Sequence, residues 1–218
     1  MYGPRPAILV FALLAALAPH DAQAQEGSKR FAIEGMLGTA RVFDGTLTVR
    51  QDGQPELTHT ASYRSDSFEP PLYYTARLRY LQGRGAWELQ ITHLKVVLDN
   101  TTAEIPRFEI SHGHNQLTVN RSWSSLPVTL RVGGGVVITN AESTIRGRVR
   151  DTDVEGGYEL SGPVVLAGLG KELDLAPWLF ASAEVTLTVA WASVSVAGGE
   201  ADAPATALHG SFGLGVRF

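Results

Sequence analysis

The sequence predicts an all-β fold: an eight-stranded antiparallel transmembrane β-barrel with short turns at one end and longer loops at the other. Three observations carry this reading. First, Ala207–Phe218 alternates with a two-residue period: Leu208, Phe212, Leu214, Val216 and Phe218 are apolar, while His209, Ser211, Gly213, Gly215 and Arg217 are polar or small. Successive side chains of a strand point to opposite faces, so the two sets occupy opposite sides of one strand. Second, seven earlier segments repeat that pattern, giving an even total. Third, the chain opens on what reads as an export signal.

That signal spans residues 1–24. Arg5 supplies the positive n-region, an apolar run follows from Ala7 to Ala18, and Ala22-Gln23-Ala24 forms an A-x-A cleavage site. The expected mature barrel is 25–218. No run approaches the roughly 18 apolar residues that a membrane helix needs. The chain has no cysteine, so hydrogen bonds and burial must hold the fold without disulfides. A mean hydropathy of +0.01 suits a membrane barrel as well as a soluble protein, because lipid-facing and lumen-facing residues average out. A net charge of −4 with no basic stripe argues against nucleic acid as a partner.

The strands follow in order. Phe31 to Val42 is the least regular, and the long loop after it can extend as a hairpin of Thr46–Arg50 with Leu57–Arg64. In the second, Leu72, Tyr74, Ala76, Leu78 and Tyr80 oppose Tyr73, Thr75, Arg77 and Arg79, ending at the Gly83-Arg84-Gly85 turn. In the third, Trp87, Leu89 and Ile91 oppose Glu88, Gln90 and Thr92. The apolar parity slips near His93 to Leu94, Val96 and Leu98, as a β-bulge would make it. Leu117, Val119 and Trp123 mark the fourth, and a tight Ser124–Pro127 turn leads to the fifth, Val128 to Thr139. The sixth pairs Tyr158, Leu160, Val164 and Leu166 against Glu159 and Ser161, with a modest connection over Lys171–Pro177. The seventh runs from Leu179 to Trp191 and the eighth is the terminal segment.

Connections after strands two, four and six are short and those after one, three, five and seven long, the asymmetry of a membrane barrel. Tyr74, Tyr80, Trp87, Trp123, Trp191 and Phe218 fall near strand ends on the apolar face, where an interfacial girdle would lie. The competing fold is a soluble β-sandwich or lipocalin-like barrel, which would also alternate.

The aromatic final residue resembles the closing strand of bacterial outer-membrane β-barrels. Over the whole mature segment the pattern resembles the small OmpA/OmpX-type barrels, with no motif that selects a subfamily. The resemblance implies a Gram-negative outer membrane, contact with its lipid and lipopolysaccharide, and Phe218 as the signal read by the barrel-assembly machinery.

Eight strands enclose an interior about wide enough for side chains to fill. The expected inward charges are Arg77, Arg79, Arg131 and Arg217 against Glu88, Glu159 and Glu184, with Glu34 and Lys95 as further candidates. Near-balanced charge in a narrow lumen reads as an ion-paired plug, since an unpaired buried charge is costly. A second candidate is the window Phe108-Glu109-Ile110-Ser111-His112-Gly113-His114-Asn115 at the start of the fourth strand. A hydroxyl activated by an imidazole that a carboxylate orients supports acyl transfer. Outer-membrane barrels include lipid A deacylases with a His-x-Ser-Asn run; here His112-Gly113-His114-Asn115 stands instead, without the serine. Four histidines (His93, His112, His114, His209) could bind a metal, but their spacing, 112/114 plus two distant positions, favours ordinary lumen hydrogen bonding. No cofactor motif is present: Gly133-Gly134-Gly135 does not open a helix. The expected function is a non-enzymatic surface protein with a plugged lumen whose outer loops meet a partner. A lipid A acyl hydrolase is the alternative and a narrow solute channel the third reading.

Overall fold

The computed structural model describes residues 30–124, 127–152 and 157–218. The export segment 1–24 lies outside the described residues, as do two residues of the Ser124–Pro127 turn. The strands in chain order are β1 (Phe31–Val42), β2 (Gly45–Gln51), β3 (Leu57–Ala61), β4 (Tyr63–Arg64), β5 (Tyr74–Gln82), β6 (Gly85–Leu98), β7 (Arg107–Trp123), β8 (Thr129–Thr139), β9 (Glu142–Ile145), β10 (Arg148–Arg150), β11 (Glu159–Ala176), β12 (Leu179–Ala190), β13 (Ser193–Val196), β14 (Gly199–Asp202) and β15 (Ala205–Arg217).

Eight of them close into a ring, β1-β5-β6-β7-β8-β11-β12-β15, with every pairing antiparallel. The closing pair runs from Ala32↔Arg217 to Val42↔Ala207, and Phe31 and Phe218 exchange backbone hydrogen bonds of 3.0 and 2.9 Å beyond it. Closure removes the sheet edges. The connections β5–β6, β7–β8 and β11–β12 are short and share one end. The four long ones share the other.

One expected connection is instead strand. β11 continues to Ala176, so its hairpin to β12 is only Pro177-Trp178. Leu173 and Leu175 are exposed there, while Glu172 and Asp174 pair with arginines, which is alternation carried to the barrel's rim.

The wall is inside-out. On β6, Trp87 and Leu89 are about half exposed while Glu88 and Gln90 are buried. Phe212 is 67% exposed and Glu88 2% exposed. A water-soluble barrel would put the apolar row inside, so the lipocalin-like alternative fails on this point. At the short-turn end Phe31 packs on Tyr80 and Phe218, and the Arg121 guanidinium lies over Trp87 and Trp123 at 5.5 and 5.9 Å.

At the long-loop end the polarity reverses. Leu94, Val96 and Leu98 of β6 join Val42, Leu47, Val49, Phe108, Ile110, Ile145 and Val194 in a buried apolar core. β6 therefore keeps its parity. Even positions face inward throughout, and what changes at His93 is the interior they meet, polar below and apolar above, while the outward His93, Lys95 and Val97 are themselves buried. The expected bulge lies in the partner strand: between Leu94↔His114 and Val96↔Ile110, β7 carries the extra residues around Gly113.

Above the ring stands a cap. The hairpins β2–β3 and β13–β14 join into a four-stranded sheet in the order β13-β14-β2-β3. Arg50 clamps it by donating to Glu200 (3.1 Å) and Asp202 (2.7 Å), which hold its guanidinium above its ordinary pKa. The β9–β10 hairpin turns on Arg146 and Gly147, both at positive φ (51° and 74°), as a two-residue type I′ turn requires. Its tip docks on the β2–β3 turn: Arg146 donates to the Pro55 carbonyl (2.8 Å) and Glu104 (3.0 Å), and Arg148 to the Asp52 carbonyl (3.2 Å).

Candidate functional site

The interior is layered. Nearest the short-turn end, Arg217 donates to Asp174 (2.6 Å) and Glu172 (2.7 Å), and Arg79 donates to the other oxygen of Glu172 (2.6 Å). Both guanidiniums face the buried ring of Phe180. One layer further in, Arg77 donates to Glu34 (2.7 Å), Glu184 (2.9 Å) and Gln90 (2.9 Å). Arg131 pairs with Glu88 and Glu184, Arg79 lies 3.3 Å from Glu88, and Ser122 donates to Glu88 at 2.8 Å. These six charged side chains, three of each sign, are buried. In a low-dielectric interior such groups persist only when mutually paired.

The structure thus brings Arg77, Arg79, Glu88, Arg131 and Glu184 together and adds Glu34, placed by β1. Arg217 reaches the group only through Glu172. Glu159 does not join. It lies opposite Thr139 while Arg131 lies opposite Gly168, nine positions down β11 or about 30 Å. Its carboxylate instead accepts from the Ser195 backbone N–H (2.7 Å) and hydroxyl (2.6 Å) of the cap. Lys95 faces outward, where its ammonium donates to the carbonyls of Glu69 and Pro70.

Above the charges comes a neutral layer. His209 bonds Tyr73 through Nδ1 (3.1 Å) and Thr188 through Nε2 (2.9 Å), and the His114 imidazole is fully buried nearby. The two best-defined cavities, both bounded by Glu184, have volumes of about 10 Å³ each, room for one water. The apolar cap core lies at the other end.

The window at the outer rim is split. Gly113 has φ +135°, and an added Cβ would strike the Asn115 side chain, so only glycine fits this bulge. The bulge sends His114 inward and His112 to the rim, where its Nε2 lies 2.7 Å from Glu142 Oε1. Glu109 is engaged by Arg107, which also binds Glu142. Ser111 forms no hydrogen bond with either histidine among the described residues. The expected grouping of Ser111, His112, His114 and Glu109 is therefore not assembled, and Glu142 is the carboxylate that orients His112. Periodicity could not reveal Glu142, since it comes from a hairpin in the third long loop. Among the described residues no three His, Cys, Asp or Glu are placed to hold a metal ion.

An apolar belt outside, paired charges within and a closed ring decide the architecture. The fold is that of a small outer-membrane β-barrel. No protein-family model matches the sequence, and no curated protein does. Among solved structures the chain is similar to Ail, the attachment invasion locus protein of Yersinia pestis, at 13% identity over 87% of this chain and 99% of that one, TM-score 0.41. It is similar to the outer membrane protein OprG from Pseudomonas aeruginosa at 12% identity over 88% and 96%, TM-score 0.45. The outer membrane protein AlkL matches at 12% identity over 100% and 97%, TM-score 0.49. At these identities the likeness concerns the fold alone.

Proposed function

We propose that this is an outer-membrane surface protein that acts through its rigid outer cap, with a lumen that carries no solute. The observation that supports it most is the double occlusion of the interior. A layer of guanidinium–carboxylate pairs closes it near the short-turn end, and an apolar core closes it at the loop end. An eight-stranded barrel has no width left for a pore once those side chains are in place. In this reading the short turns face the periplasm and the long loops face outward. The belt contacts lipid and lipopolysaccharide, the terminal strand with Phe218 is what the assembly machinery reads, and residues 1–24 direct export. The polar outer face of the cap, Thr46, Thr48, Thr58 and Thr60 in two cross-strand pairs, is what a partner would meet.

A second reading rests on His112 and Glu142, an imidazole oriented by a carboxylate at the rim, as an acyl hydrolase of lipid A would use. The missing part is a hydroxyl within reach of that imidazole. The two readings separate in lipid A mass spectra from cells lacking the protein, overexpressing it, and overexpressing the His112→Ala/Glu142→Gln variant. Surface action predicts identical acyl patterns in all three. An acyl chain lost only with the wild-type protein would establish the hydrolase instead.

A further inference from the structure

The segment Ser67–Tyr73 lies in the connection from β4 to β5; its end, Tyr73, turns inward to His209, while Glu69 and Pro70 lie against the outward side of β6 at Lys95. Trp87, Leu89, Ile91, His93 and Lys95 form the outward row of β6. The last two are buried: His93 stacks on Tyr74 with ring centroids 5.4 Å apart, and Lys95 lies under this segment. Lys95 fixes it by donating to the carbonyls of Glu69 (2.8 Å) and Pro70 (3.1 Å), and the Ala40 backbone N–H donates to Ser67 Oγ (3.2 Å). From this pinned loop Phe68 projects at 78% exposure and Leu72 at 46%. No other large apolar side chain among the described residues is as exposed as Phe68.

The level of the loop is set by register. Tyr74 pairs with Leu37 on one side and His93 on the other, and both Leu37 and Tyr74 belong to the exposed apolar belt. The loop begins one residue beyond that rung, so its apolar side chains continue the belt. Part of its backbone is satisfied from within the protein. Glu69 donates to the Asp66 carbonyl (3.1 Å) and Tyr73 to the Ser67 carbonyl (3.0 Å), Lys95 takes the Glu69 and Pro70 carbonyls, and Pro70 and Pro71 have no N–H. Non-helical backbone is tolerated beside lipid only when its polar groups are satisfied internally.

We infer that Ser67–Tyr73 is a membrane-interface anchor, with Phe68 and Leu72 seated among the lipids of the outer leaflet. This rests on the outer-membrane placement proposed above. The test uses the absence of cysteine. Single nitroxide labels go on Phe68→Cys, Leu72→Cys, Leu89→Cys in the belt and Thr58→Cys on the cap, each in the full barrel refolded into dilauroylphosphatidylcholine vesicles. Power saturation compares collisions with oxygen, which concentrates in lipid, and with a nickel chelate, which stays in water. Labels at 68 and 72 are expected to follow the belt label, with oxygen favoured. If they follow Thr58→Cys while Leu89→Cys stays in lipid, the anchor is wrong and the segment is a water-exposed surface for another macromolecule. If Leu89→Cys itself follows Thr58→Cys, the membrane placement fails and the anchor with it.

Discussion

Arg77 shows why the interior charges act as a unit. Its guanidinium satisfies Glu34, Glu184 and Gln90 at once, so removing it strands the buried Glu34 carboxylate and leaves Glu184 to Arg131 alone. Arg77→Met is expected to cost about 3–5 kcal/mol of stability, the range for breaking a buried ion pair. Urea unfolding in vesicles, followed by tryptophan fluorescence, measures it. Adding Glu34→Gln is expected to recover part of the loss; additive losses would mean that the two do not interact. Tyr63, in the cap, gives a second case. Burial pushes its hydroxyl pKa up, so the folded state keeps the proton that the unfolded chain releases near pH 10. Cap stability should be flat with respect to this group below pH 10 and fall above it. That fall should be absent from Tyr63→Phe, and an unchanged alkaline limb would contradict it. Five of the interior charges were legible from alternation alone. Glu34 was less so, because it sits in the least regular strand. Glu159 misled, because alternation reports a face and not a height.

At the scale of the element, parity was readable and its meaning was not. The apolar residues of β6 pass from odd to even positions at His93 without any break in the strand, because the strand leaves lipid and enters a cap with an ordinary dry core. A sequence reader sees the same switch as a bulge. Two of the actual irregularities, at Gly113 in β7 and Gly162 in β11, are marked by glycines at positive φ. The second of these moves Val164 and Leu166 indoors, against their expected place with Leu160. Ring strands, turn ends and the first-loop hairpin were legible. The β9–β10 and β13–β14 hairpins were not, although Arg146-Gly147 and Ala197-Gly198 are turn signals between short alternating runs. The β9–β10 hairpin depends on its docking: Arg146 holds a left-handed conformation, disfavoured for any residue but glycine, while its side chain ties two other loops. Arg146→Ala keeps the backbone cost and removes the ties. Amide hydrogen exchange over 142–150 should speed by about tenfold or more, with β5 to β8 barrel amides unchanged. Equal protection in wild type and variant would show that the tip does not hold the cap together.

The whole molecule combines two solutions to one problem. In the belt, water is excluded from the outside and the polar residues must satisfy one another within. In the cap, water surrounds the outside and apolar residues fill the centre. Stacking the two puts a different chemistry at each level of the interior; on the proposed reading each is a seal, so loosening one leaves the other. On the proposed reading this barrel works by its surface. Single-channel recording of the purified protein in planar bilayers tests it most directly. The expected record is a silent baseline for the wild type, and still for a Glu88→Ala/Arg131→Ala variant whose cap core is intact. Discrete, reproducible conductance steps from the wild type would contradict it and make the lumen the working part.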